Sequence, residues 1–239
     1  QSYWNEINQN NASDMMLEGH SPNEIIDWLI NNDSENNPSI RQYGVVDLIS
    51  GGRSDAYTGE NCFDYKNHII GDTYSIQGNI LLGQEILDNM ENSFLTTYGT
   101  FEEKLIASIM SANITGADTR CYPYGTPAIS AFIRVSKPED NTNSLFMDLN
   151  VGNPPLTVNP LDSLESLYWD WKKENYLLGD INYDYNVDII DIIILSNYVN
   201  GSQSIGSHEF LPADINMNNE IEITDIYLLL YNIIGLAGI

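Results

Sequence analysis

Apolar positions change their period along the chain, and the changes predict the elements. Ser21-Pro22-Asn23-Glu24 is a capping box with Pro at the first helical position, so the spacing predicts a helix that buries Ile25, Ile26 and Leu29. The runs Gln42 to Ile49 and Ser54 to Thr58 flank Gly51-Gly52-Arg53 and predict a β-hairpin; Thr73 to Gln77 predicts a third strand. Glu85 to Thr97 and Phe101 to Ala112 have helical spacing, whereas Ala128 to Val135 and Leu145 to Val151 read as strands. After Lys173 only the helical period remains, with Ile192, Leu195 and Val199 on one face and Ile226, Leu229 and Ile233 on another. The order predicts an α+β domain over residues 1–173 and a small all-α module over residues 174–239.

Charge sharpens that division. The 239 residues carry 9 Lys plus Arg against 34 Asp plus Glu, a net charge of -25. Nucleic acid is an unsuitable partner, because clustered Lys and Arg supply most of the affinity for phosphates. No apolar run reaches the roughly 18 residues of a membrane span. All nine basic residues lie between Arg41 and Lys173, and residues 174–239 hold ten acids with neither Lys nor Arg. A charge run is commonly a solvated face, yet this one is interleaved with Ile and Leu.

A repeat supplies the reason. Asp180-Ile-Asn182-Tyr-Asp184 and Asp214-Ile-Asn216-Met-Asn218 stand 34 residues apart, and Val187, Ile189, Asp191, Leu195 and Val199 match Ile221, Ile223, Asp225, Leu229 and Ile233. Oxygen-bearing side chains fall at positions 1, 3, 5, 9 and 12 of a twelve-residue loop: Asp180, Asn182, Asp184, Asp188 and Asp191, then Asp214, Asn216, Asn218, Glu222 and Asp225. Asn186 and Glu220 at position 7 would offer backbone carbonyls. Such spacing suits a hard cation, and two copies imply two calcium ions; the alternative, weaker for two copies in register than for one, is the preference of Asp and Asn for turns. Val187 and Ile221 at position 8 fit a short strand pairing between the loops. Asn218 stands where the first loop has an acid, so the second loop is expected to bind calcium more weakly.

On these residues the tail resembles a type I dockerin, the module that plugs cellulosomal enzymes into cohesin domains of a scaffold protein. The resemblance runs from residue 175 to about 236 and includes Asp at position 12 and no full helix before each loop. It implies that positions 10 and 11, Ile189, Ile190, Ile223 and Thr224, contact cohesin, with core packing the alternative for the Ile residues. It departs at position 6, where Tyr185 and Asn219 replace Gly, and in lacking basic residues along the recognition helix.

In residues 1–173 spacing alone assigns no chemistry. Cys62 with His68 is weak evidence for a nucleophile and base, against a disulfide to Cys121 or a buried thiol. However, Arg41-Gln-Tyr-Gly-Val-Val-Asp47, Ala56-Tyr-Thr-Gly59, Gln77-Gly-Asn-Ile-Leu81, Gly116-Ala-Asp-Thr-Arg120, Pro154-Pro155 and Pro160 to Trp171 look like the landmarks of domain of unknown function 1028, a family placed among the N-terminal-nucleophile (Ntn) hydrolases. That resemblance implies an αββα sandwich, with amide hydrolysis by an amino-terminal Thr, Ser or Cys whose own amine is the base. Gln1 has neither hydroxyl nor thiol, so the nucleophile and the family's first strands are expected outside these residues. Asn79 as an oxyanion donor and Asp118 with Arg120 as an anion clamp are the pocket candidates; a turn and a structural ion pair are the alternatives. The resemblances together imply a secreted, cellulosome-associated protein in which a calcium-dependent dockerin tethers an Ntn-type amidohydrolase to a polysaccharide-degrading complex, or tethers a non-catalytic binding or structural component.

Overall fold

Asn5 and Ser21 start the first two helices by accepting backbone N–H groups. Asn5 Oδ1 accepts from Asn8 and opens α1 (Glu6–Leu17); Ser21 and Glu24 complete the capping box of α2 (Pro22–Asn31). In the computed structural model, residues 3–141, 144–206 and 209–236 are described; Gln1 lies outside them. They form two compact units. One takes the chain up to Thr96 with Ala107–Phe132 and Asn150–Leu161, and the other takes Thr97–Ile106, Ile133–Leu149 and the chain from Asp162.

In the first unit β1 (Gln42–Asp47) pairs antiparallel with β2 (Arg53–Thr58), and β3 (Asn67–Gly71) with β4 (Tyr74–Gly78). Tyr43 and Val45 turn one face of β1 onto Ile25, Ile26 and Leu29 of α2, as the capping-box helix requires. The other face meets the second hairpin closely: a Cβ at Gly44 would come within 2.5 Å of the Gln77 side chain. The contact is polar, with Gln42 Nε2 donating to Thr58 Oγ1 at 2.9 Å and His68 Nδ1 standing 2.9 Å from the same hydroxyl. Beyond β3 and β4 lies α3 (Gln84–Thr96), reached by Tyr74, whose hydroxyl donates to Glu91 at 2.7 Å. Helix, hairpin, hairpin and helix are thus layered within this unit.

α4 (Phe101–Ser111), the two-stranded sheet of β5 (Ala131–Val135) and β6 (Met147–Val151), and α5 (Pro160–Glu174) contribute residues to both units. In the second unit α6 (Ile189–Val199), α7 (Phe210–Ala213) and α8 (Ile223–Ile233) enclose Ile181, Leu195, Ala213, Ile215 and Leu229. Ile192, Val199, Ile226 and Ile233 pack against that cluster, as their spacing predicts. Among the described residues no strand bridge joins Val187 to Ile221; both side chains pack on the apolar cluster instead. The mixed small sheets and helices are α+β, with a helical C-terminal part. Among the described residues no helix is long and apolar enough to cross a membrane.

Candidate metal centre and docking face

The two acidic loops are built on one hydrogen-bond pattern. Asp180 at position 1 accepts the N–H of Asp184 at 3.0 Å and of Tyr185 at 2.8 Å; Asp214 accepts those of Asn218 at 3.0 Å and Asn219 at 2.7 Å. At position 12, Asp191 Oδ1 accepts from Asn182 at 3.2 Å and Oδ2 from Asp188 at 2.9 Å, and Asp225 does the same for Asn216 at 3.2 Å and Glu222 at 2.9 Å. Asn182 and Asn216 each accept the N–H of position 5, and position 5 accepts that of position 7, Asn186 or Glu220. Every closing bond pairs a side-chain oxygen with a backbone N–H of the same loop.

Asp188 and Glu222 close the loops as capping boxes of α6 and α8. The position-1 and position-12 carboxylates are buried. Burial pushes the Asp180 carboxyl up to about 6, against the two N–H groups that lower it, and pushes Asp191 up as well. Among the described residues no Lys or Arg is ion-paired to these carboxylates. The donors are hard oxygens throughout, so Asp180, Asn182, Asp184, Asp188 and Asp191, with the Asn186 carbonyl, fit a calcium ion, as do Asp214, Asn216, Asn218, Glu222 and Asp225 with the Glu220 carbonyl. Among the described residues no group of three or more His, Cys, Asp or Glu side chains stands ready to hold a metal. The donor sets rely on Asn and carbonyl oxygens too, and Asp191 and Asp225 are turned onto backbone N–H groups.

Ile189, Ile190 and Ile223 are exposed by 58%, 47% and 55%, and Thr224 is exposed. They are therefore outside the core. Three further residues extend the same faces: Ile193, one turn after Ile189, and Tyr227 and Tyr231, one and two turns after Ile223. A period of four running on from positions 10 and 11 was the signal for them.

In the first unit Asp118 holds Arg120 through a bidentate contact, Arg120 Nη2 to Asp118 Oδ2 being 2.6 Å, and Arg120 projects into solvent. Asn79 follows β4. Its neighbour Ile80 has φ 59°, and the Ile80 carbonyl accepts from the Thr119 N–H at 2.9 Å, so the two candidate segments run side by side. Asp118 also lines an apolar cavity of about 340 Å³ with Leu81, Ile86, Met90, Ile109 and Phe132. Cys62 and Cys121 are buried thiols, and His68 faces Thr58.

Two family models match the chain. One, described as a family of unknown function (DUF1028), covers residues 1–161, and the other, the dockerin type I domain, covers residues 178–233. No curated protein matches. Among solved structures, protein SPO2555 from Silicibacter pomeroyi, a DUF1028 protein, shares 21% identity over 76% of this chain and 73% of its own, with a TM-score of 0.58. At that identity the likeness concerns the fold. Type I dockerin domains bind calcium and take a cohesin as partner, which accounts for two loops of oxygen donors above exposed helix faces.

Proposed function

Since the chain belongs to the DUF1028 family and ends in a type I dockerin domain, we propose that it is a secreted, cellulosome-associated protein whose calcium-loaded tail tethers the preceding domain to a scaffold cohesin. The division falls after Lys173. Each loop takes one calcium ion, two in all, and Ile189, Ile190, Ile223 and Thr224 meet the cohesin.

The observation that carries this reading is the register of the two loops: the same bonds close both, and in both, positions 10 and 11 stay in solvent at the start of an apolar helix. Calcium holds the loop carboxylates together, which fixes the angle at which α6 and α8 present those residues. Immobilised cohesins should retain the chain in calcium and release it in chelator. Retention that ignores chelator, or none by any cohesin, would overturn the docking reading.

For the DUF1028 region we propose an αββα sandwich of the Ntn-hydrolase type acting on amide bonds, supported by the helix, hairpin, hairpin and helix layers of the first unit. Asn79 would donate to a developing oxyanion, and Arg120 would orient an anionic group beside the Asp118 cavity. The Asp118–Arg120 pair, already closed on itself, favours the second reading, a non-catalytic binding or structural component. Hydrolysis of an amide panel by the full-length protein, lost in Asn79→Ala with folding intact, would decide for the enzyme; no turnover on any substrate would decide for the binding component.

A further inference from the structure

Position 6 of the first loop carries a tyrosine in a left-handed backbone, Tyr185 with φ 67°, where the second loop has Asn219 at φ 65°. Asn tolerates that region, whereas a ring-bearing residue there costs roughly 1–2 kcal/mol. A strained residue persists where its surroundings fix it. The Tyr185 hydroxyl donates to Glu102 of α4 at 2.6 Å, its ring meets Phe146 edge-on at 5.9 Å, and Lys137 Nζ lies 3.7 Å above Phe146 and 5.0 Å from the Tyr185 ring. Position 4 does the same. Tyr183 is buried beneath Lys172 of α5, whose Nζ stands 4.1 Å from the ring centre and is ion-paired to Glu103. The matching residue of the second loop, Met217, is 66% exposed.

From this asymmetry we infer that the first calcium loop has a second binding surface: Tyr183 and Tyr185 dock it onto the chain's own α4 start, β5–β6 connection and α5 end, while the second loop stays free. The inference rests on the calcium reading for its consequence, that metal uptake by the first loop is coupled to this attachment. The Tyr185 N–H closes on the position-1 carboxylate, at 2.8 Å from Asp180. Ordering the loop around an ion therefore fixes the backbone that aims the Tyr185 ring, and docking of the ring pre-orders the loop. Coupling of this kind is reciprocal. The face that docks is opposite in use to Ile189 and Ile190, which remain exposed.

Replacing Tyr185 with Gly sets strain against docking, because Gly removes the backbone cost, which should tighten calcium binding, and the clasp, whose loss should weaken it. Calcium titration calorimetry and limited proteolysis of the full chain, with Tyr185→Gly, Tyr185→Phe and Asn219→Gly, give the test. The clasp predicts that Tyr185→Gly weakens calcium at the first loop about tenfold, the size of one hydrogen bond to a charged group, and speeds cleavage between Glu174 and Gly179 in calcium. Tyr185→Phe should fall between, and Asn219→Gly should leave both readouts unchanged or slightly improved. Equal or tighter calcium binding and unchanged cleavage in Tyr185→Gly would overturn the clasp. If the unaltered first loop takes up no calcium, the docking function falls instead, and the cleavage rates alone judge whether Tyr185 holds the tail.

Discussion

Two regions of the molecule bury aspartates and solve the resulting problem differently. Asp33 has its side chain fully out of solvent, but Arg41 beside it is also buried, with Nε 2.8 Å from Asp33 Oδ2. Asn8 donates to the same oxygen at 2.6 Å, and the N–H groups of Glu35 and Asn37 fill the other at 3.0 Å. Burial alone would push the Asp33 carboxyl up; the Arg41 guanidinium and these donors overcome that and hold it well below the usual carboxylate range. Asp180 and Asp191 have N–H donors but, among the described residues, no guanidinium partner, and burial wins there. A fold that carries its cation within the chain is complete by itself. On the proposed function, a fold that leaves the cation to solvent becomes conditional, and the condition is calcium.

The strongest way to break the comparison is to remove the internal cation. Arg41→Met should leave Asp33 buried and unpaired, costing the first unit about 3–5 kcal/mol, read as a lowered urea midpoint that calcium does not restore. The counterpart in the tail is Asp191→Ala, which removes a proposed first-loop ligand and orphans the N–H groups of Ile181, Asn182 and Asp188. Each buried orphan costs roughly 1–3 kcal/mol, and calcium titration should lose one of its two binding events while the urea midpoint of the first unit stays put. Restoration of the Arg41→Met protein by calcium, or loss of both binding events in Asp191→Ala, would dissolve the contrast.

Acid gives a smaller separation. The Asp33 carboxyl is lower in the folded than in the unfolded chain, so its stabilisation is complete above the ordinary aspartate value of about 3.9 and drains away as pH falls below it. Thermal melts of the first unit should decline over that range, and Asp33→Asn, itself less stable at neutral pH, should show a flatter decline.

Much of this was legible in the sequence because it repeats or alternates. The capping box gave α2, and the duplicated oxygen spacing gave both loops and the faces of α6 and α8. Helix α1 was not legible, since seven of its twelve residues are Glu, Asn, Gln, Ser or Asp; it is held by the Asn5 cap and by Asn8, which reaches Asp33 and Tyr43. Strand β3 was missed for a similar reason: Asn67 and His68 look like loop residues, but here they face Gln84 and Thr58. Position 6 of the first loop was recognisable as a departure, while its partners, Glu102 and Phe146, lie too far along the chain for any local pattern to indicate them.

The finest test concerns the two loops themselves. Asn218 stands at position 5 where the first loop has Asp184, and its amide points to Glu222 Oε1 at 3.5 Å. Asn218→Asp adds a fourth carboxylate to the second loop's side-chain ligand positions, beside Asp214, Glu222 and Asp225. Without calcium the change trades that weak hydrogen bond for like-charge contact with Glu222, so the empty loop should loosen slightly. With calcium the added charge faces the ion directly, and at an effective dielectric near 20 a close unit charge is worth several kcal/mol before repulsion from its neighbours is deducted. We expect a net gain of about tenfold in second-loop affinity, or about 1.4 kcal/mol, bringing it level with the first. Calorimetry on the full chain should then show two merged binding events in place of two separated ones. If the gap between the loops persists in Asn218→Asp, it stems from the attachment of the first loop through Tyr185 and not from the count of carboxylates, which is the sharper form of the lesson: a metal loop is tuned by what its spare residues grip as well as by its ligands.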